Sequence, residues 1–197
     1  GKIHRVYDDG RVPADNPSFS SNAAYPTTWS IGHRNPQGLE YSYSRGELWS
    51  TEMGPRGGDE LNRIVRGGDY GWPVHSHGVD YNGSPIAARA EVAAASGDNG
   101  MRLPVLDFTP APSLSGMIFY KGERFPGWRG DLLIGSLKGM TLYRIVLDEQ
   151  GRHVYSEALL NGLGRIRDVE EGHDGSLYLL TERAGGGSIW RLVPASR

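Results

Sequence analysis

The chain has 197 residues, of which 38% are apolar and 22% are charged, a composition typical of a globular protein and not of a disordered one. Its formal net charge of −2 provides no overall field that would attract nucleic acid or an anionic membrane. The absence of cysteine excludes disulfides, zinc–thiolate sites and cysteine nucleophiles, and no apolar stretch reaches the roughly 18 residues of a membrane span.

The first ten residues predict a strand that leaves a sheet. Ile3, Arg5 and Tyr7 alternate with His4 and Val6, and Asp9-Gly10 is a turn signal. Because a strand that starts at residue 1 lacks an earlier partner, we expect further strands upstream of this chain. Residues 11–31 are rich in Pro, Ser and Asn and predict a polar connector.

Two loops dense in Gly, Pro and charge follow, at residues 32–38 and 54–62, on either side of an apolar strand at 48–51. Turns need Gly, Asn or Asp, but they do not need the additional long polar side chains found here, so these loops are the predicted site. The second loop combines the carbonyl oxygens of a Gly-Pro pair with two carboxylates, which suits a hard cation such as calcium. Its spacing is not that of an EF-hand.

The next part of the chain is irregular and aromatic up to residue 83, and residues 86–100 predict a surface helix because they are rich in Ala and end in Gly and Asn. His33, His75 and His77 lack a third ligand marked by the sequence, so we expect them to be structural and not metal-binding.

A repeat organises much of the chain. Gly46, Gly130 and Gly175 each begin a strand that is followed by a turn and a second strand, with separations of 84 and 45 residues. Periods of about 40 to 50 residues built from short strands are typical of β-propeller blades. The sequence therefore predicts an all-β fold, with residues 1–197 forming one partial propeller domain of about three blades plus the end of a preceding one.

An arginine recurs on the second strand of each unit. A side chain repeated at one position of every unit is expected to belong to the scaffold and not to the active site. The four arginines are Arg5, Arg63, Arg144 and Arg191.

Other basic residues interrupt this repeat. Lys138 follows the strand that begins at Gly130, and Arg165 and Arg167 are two positions apart, hence on one face of a predicted strand. If they meet Arg34 at the mouth of a channel, they form a basic pocket suited to a small polyanion with carboxylate or phosphate groups.

Five motifs, at residues 32–38, 54–62, 69–73, 136–138 and 164–169, resemble the soluble glucose/sorbosone dehydrogenases, also called aldose sugar dehydrogenases. The resemblance implies a six-bladed β-propeller with long inter-strand loops, of which this chain is the C-terminal half or more and lacks the N-terminal blades. It also implies pyrroloquinoline quinone (PQQ) and calcium as cofactors, and oxidation of aldose sugars at C1 to lactones.

The resemblance also assigns residues to the site. It implies that PQQ is bound by Arg34, Asn35, Tyr81, Lys138, Arg165 and Arg167. It implies that the carbonyls of Gly54 and Pro55 bind the calcium that polarises the quinone, and that Glu60 and Tyr70 belong to a second calcium site. The family's histidine base is expected upstream of Gly1, so this chain would contain no catalytic base and would have little turnover alone, because loss of a general base costs about 10² to 10⁴ in rate.

Two other functions fit a propeller: a calcium-dependent hydrolase of the lactonase type, and a non-catalytic interaction module. The first would need carboxylates and Asn directed at a single metal and would not need Lys138, Arg165 and Arg167. In the second, replacing Arg165 and Arg167 with alanine would change nothing except the charge. The resemblance implies a periplasmic or secreted protein, whereas the preferred sugar, the electron acceptor and the oligomeric state are not encoded in any motif.

Overall fold

A computed structural model describes residues 1–19, 24–86 and 100–195 of the chain. Among them are thirteen β-strands and one short 3-10 helix at Pro126–Trp128. The predicted helix at 86–100 lies almost wholly outside the described residues. The strands are β1 (Lys2–His4), β2 (Thr28–Ile31), β3 (Pro36–Ser42), β4 (Glu47–Glu52), β5 (Asp59–Ile64), β6 (Leu106–Phe108), β7 (Leu114–Phe119), β8 (Leu132–Ser136), β9 (Leu142–Leu147), β10 (His153–Leu159), β11 (Arg165–Glu171), β12 (Leu177–Arg183) and β13 (Gly186–Leu192).

The strands form antiparallel sheets in which neighbours in sequence are neighbours in space. Their orders are β3-β4-β5-β6, β7-β8-β9-β10 and β11-β12-β13, and a separate two-stranded sheet joins β1 to β2. The all-β prediction is confirmed, and so are the strand pairs β4-β5, β8-β9 and β12-β13 predicted from the glycine repeat. Within the described ranges, no helix is long and apolar enough to cross a membrane.

The first strands of the three larger sheets lie side by side and run in one direction. β3 packs beside β7, and β7 beside β11. Near their starts, the Thr51 hydroxyl donates to the Ser115 carbonyl and the Ser115 hydroxyl donates to the Ile166 carbonyl, at 2.7 and 2.6 Å. Near their ends, the Lys121 ammonium lies 3.5 Å from a Glu40 carboxylate oxygen. All three first strands therefore begin at the same end of the sheets. This common end, where the strands start and not an outermost strand, is called the shared edge below.

Two apolar clusters fill the spaces between sheets. Trp49 of β4, fully buried, packs edge-on against Phe119 of β7 in the first cluster. The second joins β7 and β8 to β11 and β12, with Ile166 and Leu177 fully buried. Burial of a large apolar side chain contributes about 1.5 to 3 kcal/mol, so these contacts hold adjacent sheets together and fix the shared edge.

The prediction of a connector over residues 11–31 is wrong at its end, because residues 28–31 form β2 and pair with β1. The segment Thr-Trp-Ser-Ile has only four residues, and its partner strand lies more than twenty residues away, so no local pattern marks it. Likewise, residues 36–38 of the first predicted loop belong to the start of β3.

The recurring arginines have the expected scaffold role. Each pairs with a nearby acid, and in the three larger sheets that acid lies at or just before the start of the preceding strand. The pairs are Arg5 with Asp15, Arg63 with Glu47, Arg144 with Asp131 and Arg191 with Asp174.

Candidate functional site

Most of the predicted site residues lie at the shared edge of the sheets. In the strand registers, Pro36 is opposite Glu52, Leu114 is opposite Ser136, and Arg165 is opposite Glu182. The residues that precede β3 and β7, the start of β11, and the turns after β4 and β8 must therefore emerge at this same edge. This explains how residues more than one hundred positions apart in sequence come together.

A cavity of about 890 Å³ opens at this edge. Its walls include six of the predicted site residues and, among the fifteen residues that line it, three basic side chains and no carboxylate. The lining residues are Arg34, Asn35, Met53, Gly54, Pro55, Arg56, Gly57, Val79, Tyr81, Gly83, Thr109, Pro110, Ala111, Ser113 and Lys138.

Arg34 is held in the wall by neutral acceptors and aromatic rings. Its Nη1 donates to the carbonyls of Met53 and Gly54, at 2.8 and 3.1 Å, and its Nη2 donates to the Tyr81 hydroxyl at 2.9 Å. The guanidinium carbon lies 5.2 Å from the centre of the Trp72 ring and 5.9 Å from that of Tyr81. Because Arg34 forms no ion pair with a described acid, its charge remains available to an anion in the cavity, and its buried Nε has no hydrogen-bond partner.

The loop between β4 and β5 presents the Gly54 and Pro55 carbonyls, and a buried carboxylate anchors it. Asp59, 1% exposed, accepts the Gly54 N–H and the Leu114 N–H, both at 2.9 Å. Burial raises the pKa of Asp59, and these N–H groups oppose the rise. The loop leaves no room for a side chain at residue 54, since an added Cβ would lie 2.2 Å from the Gly57 carbonyl oxygen.

Lys138 enters the same cavity from the turn after β8. Its N–H donates to the Pro112 carbonyl at 2.9 Å, which ties the turn to the segment before β7. The side chain is exposed, and its ammonium has no hydrogen-bond or ion-pair partner among the described residues.

Arg165 and Arg167 are not among the residues that line this cavity. Both pair with Glu182 of β12: Arg165 Nε lies 3.8 Å from its carboxylate, and Arg167 Nε donates to it at 2.6 Å. A bulge between Ile166 and Asp168 interrupts the alternation of side chains between the two faces of β11 at Arg167. Both arginines nevertheless reach Glu182. They lie at the shared edge, on the sheet that follows the one carrying Lys138.

Behind Arg34 lies a buried cluster of ionisable groups. His33, fully buried, bonds through Nδ1 to Glu52 at 3.1 Å and through Nε2 to the Ser30 hydroxyl at 2.8 Å, and it stacks on the Tyr70 ring. Each ring nitrogen has a protein partner, so His33 has the structural role expected of it. The Arg34 N–H also approaches Glu52, at 3.5 Å, which connects this cluster to the cavity wall.

Glu60 lies directly opposite Glu52 on the neighbouring strand and is also buried. Burial raises the pKa of Glu60 to about 7, and the proximity of Glu52 adds to the rise. Asn62 donates to Glu60 at 3.0 Å, while its own Oδ1 is buried without a hydrogen bond. The carboxyl and amide oxygens gathered here are of the type that calcium prefers.

Tyr70 borders the same small internal cavity as Glu52 and Glu60. Its hydroxyl donates to the Arg63 carbonyl at 2.6 Å and accepts the Val65 N–H at 2.9 Å, so the phenol is fully engaged in supporting the end of β5. Any ligand oxygen from Tyr70 would therefore have to be its main-chain carbonyl. Over the described ranges, no group of three or more His, Cys, Asp or Glu side chains is arranged to hold a metal ion.

The structure thus places Arg34, Asn35, Gly54, Pro55, Tyr81 and Lys138 on one cavity, Glu60 and Tyr70 in the interior behind it, and Arg165 with Arg167 on the next sheet. Among the lining residues, the sequence did not predict Thr109, Pro110, Ala111 and Ser113, and it did not assign a role to Arg56; Asp59 was expected as an oxygen donor of the second loop and not as its buried anchor. Arg56 lies inside one of the charged glycine loops, and that position was its only signal.

Comparison with known proteins supplies an independent view. A family model described as glucose/sorbosone dehydrogenase matches residues 1–191. The aldose sugar dehydrogenase YliI of Escherichia coli is 41% identical over 189 residues, which cover 94% of this chain and 49% of that protein. This chain spans about half the length of the curated relatives that it matches.

Solved structures agree with this result. A crystal structure of a glucose dehydrogenase superposes with a TM-score of 0.88 at 42% identity, covering 100% of this chain and 55% of that one. The PQQ-bound form of an aldose sugar dehydrogenase from Streptomyces coelicolor superposes with a TM-score of 0.73 at 28% identity, covering 98% of this chain and 52% of that one.

Proposed function

Since the chain belongs to the glucose/sorbosone dehydrogenase family, we propose that it forms part of a PQQ-dependent enzyme that oxidises aldose sugars at C1 to lactones with the help of calcium. The observation that carries the proposal is the cavity at the shared edge, whose walls contain Arg34 and Lys138, both assigned to the cofactor, and no carboxylate among the described residues that line it. In a chain with a net charge of −2, such a concentration of positive charge favours a polyanion.

The donor set fits both cofactors. PQQ has three carboxylates, and arginine and lysine are the residues that bind carboxylates most strongly. The Gly54 and Pro55 carbonyls border the same cavity and are of the oxygen type that calcium prefers. A calcium ion held there would act as a Lewis acid beside the quinone, and Glu60, with the main chain of Tyr70, would hold a second ion in the interior.

PQQ, when bound, supplies the hydride acceptor, so the reaction's organic chemistry belongs to the cofactor. The residues of this chain position it and balance its charge. Arg34 is oriented by Tyr81, Trp72 and two carbonyls, and Asp59 holds the loop that carries Gly54. In this proposal, Arg165 and Arg167 extend the basic surface from the next sheet, and Asn35, exposed at the start of β3, contacts the cofactor.

The sheets have the order expected of propeller blades, and we infer that they are consecutive blades of a six-bladed ring. β1 and β2 pair as β5 pairs with β6 and β9 with β10, so they match the last two strands of a preceding blade. The proposal places the remaining blades, and the family's histidine base, in a region upstream of Gly1. A periplasmic or secreted location accompanies this assignment.

Variants of Arg165 and Arg167 in β11 distinguish the proposed PQQ-binding function from that of a non-catalytic propeller. We expect the double variant Arg165→Ala/Arg167→Ala to bind PQQ at least tenfold more weakly in the presence of calcium, because each lost charge-assisted contact is worth about 1.5 to 3 kcal/mol. The matched control is Arg129→Ala, whose guanidinium pairs with exposed Glu123. Equal PQQ affinity in the double variant and the control would contradict the proposal.

A further inference from the structure

One cation of the cavity wall has no role in the proposed cofactor site. Arg34, which two carbonyls and Tyr81 orient, and Lys138 are both assigned to the cofactor. Arg56 lines the same cavity, and its guanidinium makes no hydrogen bond or ion pair with any described residue. Most other arginines in the described ranges pair with an acid or donate to a carbonyl, so the unpaired guanidinium of Arg56 is unusual among the described residues.

The backbone of Arg56 is firmly held although its side chain is exposed. Arg56 and Val79 exchange two main-chain hydrogen bonds of 3.1 Å each, which fasten the β4–β5 loop to the segment that carries Tyr81. Arg56 Nη1 passes close to Gly83, where an added Cβ would lie 3.4 Å away. The Arg56 side chain therefore extends from the β4–β5 loop towards the segment that carries Tyr81 and Gly83.

We propose that Arg56 binds an anionic substituent of the substrate, so that the site accepts acidic aldoses such as hexuronates as well as neutral sugars. This inference rests on the proposed function and specifies the class of substrate. A planar guanidinium with free N–H groups matches a carboxylate through two parallel hydrogen bonds. Among the described residues that line the cavity, no carboxylate competes for Arg56.

The test compares glucuronate with glucose. The chain is loaded with calcium and PQQ, and the dissociation constants of both sugars are measured by ligand-observed NMR, with PQQ affinity measured separately by absorbance. We expect Arg56→Ala to weaken glucuronate binding about tenfold, the loss of roughly one charge-assisted contact, while glucose and PQQ affinities stay unchanged. Arg56→Lys should retain part of the affinity for glucuronate, because lysine keeps the positive charge but lacks the two parallel N–H groups of the guanidinium.

The matched control is Arg102→Ala, since Arg102 also lacks a described ion-pair partner but does not line the cavity, and it should change neither affinity. The inference is overturned if Arg56→Ala weakens both sugars equally, lowers PQQ affinity, or changes nothing, or if the wild type shows no binding of glucuronate. A wild type that binds no PQQ refutes the proposed function instead. In that case the glucuronate titrations of the wild type and Arg56→Ala, run without PQQ, still decide the role of Arg56.

Discussion

Replacing Asp59 by alanine should destabilise the chain and loosen the loop that borders the cavity. The Asp59 carboxylate accepts two buried N–H groups, from Gly54 and Leu114, each at 2.9 Å. A buried donor left without an acceptor costs about 1 to 3 kcal/mol, so the two together cost roughly 2 to 6 kcal/mol. Removing a carboxylate whose burial already raises its pKa offsets part of this cost, and we expect a net loss of about 2 to 3 kcal/mol.

The assay is equilibrium unfolding in urea at pH 7, followed by tryptophan fluorescence. Asp148→Ala is a matched control because Asp148 also accepts two main-chain N–H groups, from Gln150 and Arg152, at 3.0 and 2.8 Å, but in a solvent-accessible turn. Water replaces the lost acceptor there, so we expect a smaller loss of stability. If the two variants unfold with equal free energies, Asp59 does not anchor the loop, and the account of how Gly54 is positioned is wrong.

Three further predictions concern the site and the scaffold. Tyr81→Phe removes one acceptor from Arg34 and should weaken PQQ binding by up to about tenfold in a quenching titration, with the free energy of unfolding nearly unchanged. Glu60→Gln removes one of two facing buried carboxylates, so it should raise the melting temperature measured in the presence of a chelator. It should also abolish the stabilisation by added calcium, and stabilisation equal to that of the wild type would exclude Glu60 as a calcium ligand. Hydrogen bonds from Ser176 and Arg191 lower the pKa of Asp174 to about 2, so the stability it contributes is present above pH 4 and is lost as the pH falls from about 4 towards 2. The melting-temperature difference between wild type and Asp174→Asn should shrink over that range, and a constant difference would contradict this assignment.

The sequence predicts those features of the fold that depend on repetition. Strands that begin after Gly46, Gly130 and Gly175 recur with similar patterns, and each pairs with the following strand as expected. β2 could not be found in this way, because its four residues carry little pattern and become a strand only by pairing with β1. The family assignment succeeded because five separate motifs occur in order, which does not require knowledge of any contact.

The candidate site was predictable in its residue types but not in its pairings. Arg34 and Lys138 meet on one cavity because the first strands of neighbouring sheets run in the same direction. No local signal showed that Glu182 would pair with both arginines of β11, since that contact depends on strand register and on a bulge. The role of Asp59 as an anchor was not predictable for the same reason, because the second N–H group that it accepts belongs to Leu114, 55 positions away in sequence.

The central claim is that the cavity at the shared edge binds PQQ, and a direct titration of PQQ into the calcium-loaded chain tests it. We predict saturable binding of one PQQ per chain, weakened about tenfold or more by Lys138→Ala, because one charge-assisted contact is lost. Lys121→Ala, at the opposite end of the strands and paired with Glu40, should leave the affinity unchanged. No saturable binding, or equal affinities in the wild type and both variants, would contradict the account.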